Sequence, residues 1–456
     1  MIAMTLAEIA TVVGGTVHGD ARARDVVVDG AAYVDSRQAV PGGLFVAVVG
    51  EQVDGHEYAA GAHAVLGSRA TAAPTVVVAD PVVALGRLAR HVVDRVDAIV
   101  LALTGSQGKT GTKDYLAQVL ATVGPTVATL GNHNNELGVP LTVLTADAGT
   151  RYLVVEMGAR GIGHIGYLCE LAPPRVAAVL NVGTAHLGEF GSREAIAQAK
   201  GEIVEALPAE GTAVLNADDA LVAAMATRTS AAVTTFGADG DVAWRGLELD
   251  ELGRASFDLG HAGEWRPVRL QQSGAHQVLN AAAAAAMALA VGVPLARVAA
   301  ALSAAADASP MRMELHERAD GLVVVNDAYN ANPASMQAAL EALVAIGARR
   351  GRRTVAVLGE MRELGPTAYD EHVGVGRAAA ALGVDVVVAV GPEAAGIAAG
   401  AGDEAIVTAG RAEALAWVRE NVAGADVVLV KASRGAALEV IADGLLAHDV
   451  EGGSAR

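Results

Sequence analysis

Aromatic side chains are scarce in this 456-residue chain: Trp, Tyr and Phe number 3, 7 and 4. Its cores must therefore be assembled from Ala, Val and Leu, as in layered sheets buried under helices. Cysteine is rarer still. Cys169 stands alone, which excludes an intramolecular disulfide, and no Cys/His set has zinc spacing, so a reducing cytoplasm is the expected compartment. Basic residues are outnumbered, 33 Lys plus Arg against 51 Asp plus Glu, for a formal net charge of −18. That balance speaks against broad charge-driven binding to nucleic acid or an anionic membrane, and any anionic ligand must be held locally. The opening MIAMTLAEIATVVGG carries Glu8 and no basic n-region, which speaks against a secretory signal. The strongest membrane candidate, Gln277 to Ala296, is uncharged but mostly alanine and is interrupted by Asn280, Gly292 and Pro294. It reads as a buried alanine-rich helix rather than a span.

What is present is a globular chain, 52% hydrophobic and 18% charged, long enough for two or three domains. The expected fold class is α/β with three domains. Residues 1–97 read as a small N-terminal α/β domain, with strands at GLFVAVVG (43–50) and TVVVAD (75–80). Residues 98–309 read as a central, mainly parallel sheet with helices. It opens on the apolar run AIVLALT (98–104) and continues through RYLVVEMG, RVAAVLNVG, TAVLN and AVTTFG. Segment 241–270 breaks into short alternating pieces, and alanine-rich helices from Gln277 to Ala306 close the unit. Ser309-Pro310 reads as a linker. Residues 310–456 read as a Rossmann-like domain, with strands at GLVVVND, TVAVLGEM, DVVVAVG, EAIVTA and ADVVLVKAS.

The chemistry concentrates where strands end. Thr104-Gly105-Ser106-Gln107-Gly108-Lys109-Thr110 sits between a buried strand and a helix. Its backbone N–H groups and Lys109 suit a polyphosphate, and the Thr110 hydroxyl suits Mg²⁺. Leu103 stands where the common P-loop has glycine. Gly374, Gly376 and Ala379 match a dinucleotide fingerprint, but they follow a helical segment, so the match is discounted. Glu156 ends the strand YLVVE and His186 follows the next strand, so both suit one rim beside Thr110; a histidine there suits a second ion or a softer metal such as Mn²⁺. Lys200 reads, on its own, as a solvated charge on a helix, and Asn280 as either a packing or a ligand residue. Arg312 opens the third unit, where an arginine either reaches a γ-phosphate on domain closure or makes an interdomain ion pair. Asn326-Asp327 ends a strand ahead of a polar Asn/Pro loop, with a helix expected near Ser335, and Asp327 suits a ribose hydroxyl. Lys431-Ala432-Ser433-Arg434 suits a substrate carboxylate or a solvated turn.

Read together, TGSQGKTGTK (104–113), TLGNHNNELGVPLT (129–142), EMGA (156–159), NVGTAHLGEFGS (181–192), AKGEI (199–203), NDAYNANPASM (326–336) and VLGEMRELG (357–365) resemble the Mur ligases of peptidoglycan synthesis. The resemblance spans all three units. It is strongest to the branch that joins D-alanyl-D-alanine to UDP-N-acetylmuramoyl-tripeptide through an acyl phosphate formed with ATP. DSRQAVPGGLFVAVVGEQVDGH (35–56) resembles the uridine-nucleotide domain that this branch shares with the sister branch adding the preceding diamino acid. The resemblance implies that Gly105, Ser106, Gly108 and Lys109 cradle ATP, and that Thr110 and Glu156 hold its Mg²⁺. A second Mg²⁺ or Mn²⁺ falls to Glu156, His186 and a carbamylated Lys200. Asn280 and Asp327 are implied at adenosine, Arg312 at the γ-phosphate, and Ser36 and Arg37 at the UDP end. Asn134 and Asn135 are implied near the acyl acceptor, and Ser433 and Arg434 at substrate. Lys109, His186, Lys200 and Arg312 are the implied catalytic set. The expected partners are the two substrates alone, for a monomeric chain with no nucleic-acid partner and no membrane insertion. Ala432 departs from the family's usual glycine; a left-handed backbone there would force the loop to differ. A P-loop switch or transport ATPase, a non-catalytic nucleotide module and a sister ligase remain as other readings.

Overall fold

The computed structural model describes residues 1–50, 53–183 and 190–447. Among the described residues three larger sheets follow one another along the chain, beside a two-stranded antiparallel pairing of Met4–Thr5 with Val27–Val28. The first has five short strands in the order Thr16–His18, Thr75–Val77, Ala64–Gly67, Leu44–Val46, Ala32–Tyr33, parallel except for the first pair. Helix Pro81–Val93 follows, with Asp80 accepting from the N–H groups of Val82 and Val83 and proline in the first turn. Its apolar face, with Leu85, Leu88 and Val92, belongs to the same core as Ile165, Leu168 and Leu171 of the next unit. The N-terminal unit therefore shares an apolar core with its neighbour, and a smaller cluster around Tyr33 and Phe45 lies on its own sheet.

The second sheet has nine strands. From the edge strand Thr126–Ala128 it runs through Tyr152–Glu156, Ile99–Thr104, Val176–Val179, Thr212–Asn216 and Ala232–Phe236, all in parallel. Val242–Leu249 joins in parallel at one residue pair, and Arg254–His261 and Glu264–Ser273 extend the sheet antiparallel. Successive residues of a strand point to opposite faces, so Val100 and Ala102 enter one core while Leu101 and Leu103 enter the other. Covering on both faces is why the run AIVLALT is continuously apolar. The second face is covered by helices Lys109–Ala121, Gln277–Ala290 and Leu295–Ala304. Ala281 to Ala288 are all buried, the alanine-rich packing helix that the sequence implied, and no helix among the described residues is long and apolar enough to cross a membrane.

The third sheet runs Glu314–Glu317, Val323–Asp327, Val427–Lys431, Thr354–Leu358, Val386–Val390, Ile406–Thr408, parallel except for the first pair. Apolar clusters cover both faces. Helix Pro333–Arg350 begins two residues before the expected Ser335. Asn332 accepts from the Ser335 N–H, and the Ser335 side chain bonds back to the Asn332 N–H. Gly374, Gly376 and Ala379 lie inside helix Ala368–Leu382. A Cβ on Gly376 would come within 2.0 Å of the Ile397 carbonyl oxygen, so this glycine serves the close approach of two helices.

Candidate functional site

Parallel strands deliver their carboxyl ends to one rim, where ligands gather in open α/β sheets. A cavity of about 740 Å³ opens on that rim between the central and C-terminal units. On the central side, strand Ile99–Thr104 releases the chain into the glycine-rich loop, and helix Lys109–Ala121 takes it up. Gly108 is left-handed (φ 81°), and a Cβ there would stand 2.4 Å from Oδ1 of Asn280. Both the backbone and the space require glycine. Asn280 donates to Oε1 of Gln277 at 3.0 Å, so it packs under the loop and also lines the cavity. The loop is gripped from the next strand's end: Asn181 Oδ1 accepts from the Gln107 N–H at 3.0 Å, and its Nδ2 donates to the Gln107 carbonyl at 3.1 Å. Ser106 Oγ accepts from the Gly183 N–H at 2.9 Å.

Lys109 Nζ donates to the Gly105 carbonyl at 2.7 Å. Burial pushes its pKa below the ordinary lysine value; Glu156 opposes that shift and Arg312 adds to it. The Thr110 hydroxyl donates to Oε2 of Glu156 at 3.0 Å, and Asn134 Nδ2 donates to Oε1 at 2.7 Å. The neighbouring Asn135 accepts with its side-chain Oδ1 from the N–H groups of Leu137 and Gly138, at the start of the next helix. Thr110 and Glu156 present only oxygens, a donor set that fits Mg²⁺. Among the described residues no group of three or more His, Cys, Asp and Glu is placed to hold a metal ion; His186 lies outside the described residues.

Lys200 corrects the reading of a solvated helical charge. It is 4% exposed and lines the cavity. Desolvation, and then the charge of Lys109, hold its pKa well below the ordinary value, because burial disfavours the charged ammonium. The helix period explains the burial, since Ile196, Ala199 and Ile203 face the core beside it.

From the C-terminal unit comes Arg312, held in an unusual backbone. Met311 (φ 59°) and Met313 (φ 52°) on either side are both left-handed, a conformation that costs of order 1–3 kcal/mol for each non-glycine residue. Bonds from the Met311 N–H to Glu314 at 2.9 Å and from the Met313 N–H to Asp327 at 3.1 Å hold it there. Asp327 also takes Lys431 Nζ at 2.6 Å, its register partner on the adjacent strand. Carboxylate lone pairs remain for another donor. Ser433 Oγ accepts from the Arg362 N–H at 3.0 Å, and Arg434 pairs with Glu439 at the cavity margin. Ala432 is fully buried and is not left-handed; its methyl faces Gly359, where a second Cβ would stand 2.8 Å away. The loop thus accommodates alanine without strain.

The cavity gathers Ser106, Gly108, Lys109, Thr110, Glu156 and Lys200 with Asn134, Asn135, Asn280, Arg312, Asp327, Ser433 and Arg434. Gly105 sits behind it in the loop. Ser36 and Arg37 do not line it; they lie in a one-turn helix of the N-terminal unit, where Arg37 pairs with Asp35 at 2.6 Å.

Family models match residues 103–288 as Mur ligase middle domain and residues 311–434 as Mur ligase, glutamate ligase domain. The chain belongs to the Mur ligase family. The UDP-N-acetylmuramoyl-tripeptide--D-alanyl-D-alanine ligase of Mycobacterium tuberculosis (strain ATCC 25618 / H37Rv) is 45% identical, over 99% of each chain. The enzyme of the same name from Escherichia coli (strain K12) is 36% identical, over 97% of this chain and 98% of its own. Among solved structures, MurF from Acinetobacter baumannii superposes with a TM-score of 0.87 at 33% identity, covering 98% of this chain and 99% of its own. MurF ligase from Thermotoga maritima in complex with ADP gives 0.80 at 30% identity, covering 92% and 98%.

Several cavity residues of this Mur ligase had no signal of their own in the sequence. Asn181 and Tyr329 sit inside the resembling motifs but carry no chemistry there. His276, ahead of helix Gln277–Ala290, lines the cavity, and burial lowers its pKa. Glu202, 8% exposed, accepts from the N–H of Gly163 at 2.5 Å and of Gly166 at 2.9 Å. It thereby anchors the loop that carries the cavity residue Arg160. Only a three-dimensional arrangement gives these residues their neighbours.

Proposed function

We propose that this chain is the ATP-dependent ligase that joins D-alanyl-D-alanine to UDP-N-acetylmuramoyl-tripeptide, completing the pentapeptide precursor of peptidoglycan. The observation that carries the reading is a single cavity in which the phosphate loop of one unit faces Arg312 and Asp327 of another. Similarity to ligases of that name over nearly the whole chain supports it. An oxygen of the tripeptide's terminal carboxylate attacks the γ-phosphorus of ATP, the bond to ADP breaks, and an acyl phosphate forms. The acceptor's free amine then attacks the acyl carbon; phosphate leaves with the C–O electrons, and the nitrogen's extra proton passes to solvent. A carboxylate is a poor electrophile and its acyl phosphate a good one, which is why ATP is needed.

Most of the catalytic work is charge placement. Lys109 and the loop N–H groups bind the phosphates, and Arg312 meets the γ-phosphate from the opposite wall. Gly105, Ser106 and Gly108 shape the cradle, while Asn280 and Asp327 take the adenosine end. Thr110 and Glu156 would hold Mg²⁺, whose charge offsets that on the transferring phosphoryl group. A second ion, Mg²⁺ or Mn²⁺, would fall to Glu156, His186 and Lys200 as a carbamate; the unprotonated amine is the form that adds CO₂, and the burial that lowers the pKa of Lys200 favours that form. Asn134, Asn135, Ser433 and Arg434 face the peptide substrates, and Ser36 and Arg37 take the UDP end. Residues 1–97, 98–309 and 310–456 act as the UDP-binding, ATP-binding and ligase units of a cytoplasmic monomer.

The test is phosphate release from ATP and Mg²⁺ with UDP-muramoyl-tripeptide, with and without D-alanyl-D-alanine, and the mass of the product. Release that requires both substrates and yields pentapeptide is expected. Release with neither would replace this reading with an ATPase. Release that needs the sugar nucleotide but a different amine would keep the family and overturn the acceptor.

A further inference from the structure

Among the described residues no carboxylate pairs with Arg312 to aim it. Its guanidinium carbon lies 4.2 Å from the centre of the Tyr329 ring, and its buried Nε has no hydrogen-bond partner. A guanidinium over an aromatic face is attracted by the ring quadrupole, more strongly as water is excluded. Tyr329 is tied through both its backbone and its hydroxyl. The Tyr329 N–H donates to the Met311 carbonyl at 3.2 Å, next to Arg312 itself. The Tyr329 hydroxyl donates to Oδ1 of Asn132, which belongs to the central unit. Asn132 continues toward the phosphate site: its carbonyl accepts from the Asn134 N–H at 2.7 Å, and the Asn134 side chain donates to Glu156. Tyr329, Asn132 and Asn134 thus form a chain of contacts from the arginine of one wall to the carboxylate of the other.

The geometry points to Tyr329 as a positioning residue for phosphoryl transfer: its ring carries Arg312 and its hydroxyl registers, through Asn132, that the two units are docked. The inference rests on the proposed ligase reaction, in which Arg312 meets the γ-phosphate. An ion pair would hold Arg312 too, but it would neutralise the charge the phosphate needs. A ring holds the cation and leaves its charge free.

The experiment is a pair of double-mutant cycles on the full chain, reading kcat and KM for ATP in the two-substrate assay. Tyr329→Leu removes ring and hydroxyl and is expected to lower kcat about tenfold with little change in KM for ATP. In an Arg312→Ala background the same substitution is expected to cost less than about twofold, because the group it positions is gone. Tyr329→Phe keeps the ring and the fold, and is expected to lower kcat about threefold. It should add nothing to Asn132→Ala. A Tyr329→Leu loss that persists in full on Arg312→Ala, or a raised KM for ATP at unchanged kcat, overturns the positioning role. Additive losses from Tyr329→Phe and Asn132→Ala overturn the tether. If the wild-type chain itself shows no phosphate release dependent on both substrates, the ligase reading fails; an active wild type with additive cycles fails this inference alone.

Discussion

The hydroxyl of Thr110, in the first turn of the helix that follows the phosphate loop, donates to Oε2 of Glu156 at 3.0 Å, across 46 positions of sequence. Two parallel neighbours make this possible: Glu156 pairs in register with Leu103, one residue before the loop begins.

Lys109→Ala should fold normally and lose ATP turnover by about a thousandfold, since it removes a charge on the transferring phosphate while leaving the loop backbone intact. Unchanged circular dichroism and thermal midpoint, alongside lost phosphate release, are the expected pair of results. Retained ligase activity would end the phosphate-loop assignment.

Gly108→Ala should cost about 1–3 kcal/mol in stability from the left-handed backbone alone, and more from the clash with Asn280. ATP affinity should fall with it. Adding Asn280→Ala opens space for the methyl, so the double variant should recover part of the thermal midpoint. Full recovery would show that the backbone conformation costs nothing.

Burial, and then the charge of Lys109, push the Lys200 amine toward its unprotonated form, so carbamylation should be reversible and linked to CO₂. Enzyme treated at low pH and returned to neutral buffer free of CO₂ should be slow, and bicarbonate should restore the rate. Lys200→Ala should be slow and insensitive to bicarbonate. A wild-type rate that never responds to CO₂ would exclude the carbamate.

Cys169 is buried, with its thiol pushed up to about 12 mainly by desolvation. The thiolate is the reactive form, so a maleimide should not label the native chain at neutral pH and should add once per chain after denaturation. Rapid labelling of the native chain would mean that helix His164–Leu171 opens readily.

Asp54 carries a pH-dependent part of the stability. Its carboxylate is held well below the usual range by Arg69, by the His56 N–H and by the His56 ring. A depressed folded pKa means that the unfolded chain takes up the proton first, so this stabilisation is complete above the ordinary carboxylate range, shrinks as pH falls below that range and is gone only once pH has passed the depressed folded value. Asp54→Asn should therefore lower the thermal midpoint at pH 7, and the gap to wild type should narrow on acidification. A gap that stays constant with pH would show that the charge is irrelevant.

The strands and the phosphate loop were legible in the sequence because their signals are local. A strand buried on both faces is apolar throughout, as in TAVLN, which spans 212–216 in sequence and structure alike. Short pieces were less visible. Thr126–Ala128 is a half-buried edge strand of three residues, and Ala64–Gly67 is too brief to stand out from its loop. The shared core between helix Pro81–Val93 and the central helices was also hidden, because an apolar helix face does not name its partner.

Composition, charge, the order of strands and helices, and the loop around Lys109 were determined by the sequence itself, since each rests on residues close together in the chain. Tertiary structure alone decided that Lys200 is buried beside Lys109 rather than solvated, and that Asp327 bonds Lys431. It also decided that Arg312 lies on the Tyr329 ring between two left-handed methionines. The reason is physical: a side chain's charge state, partners and aim are set by what the fold brings against it, and those neighbours come from strands and loops tens to hundreds of residues away.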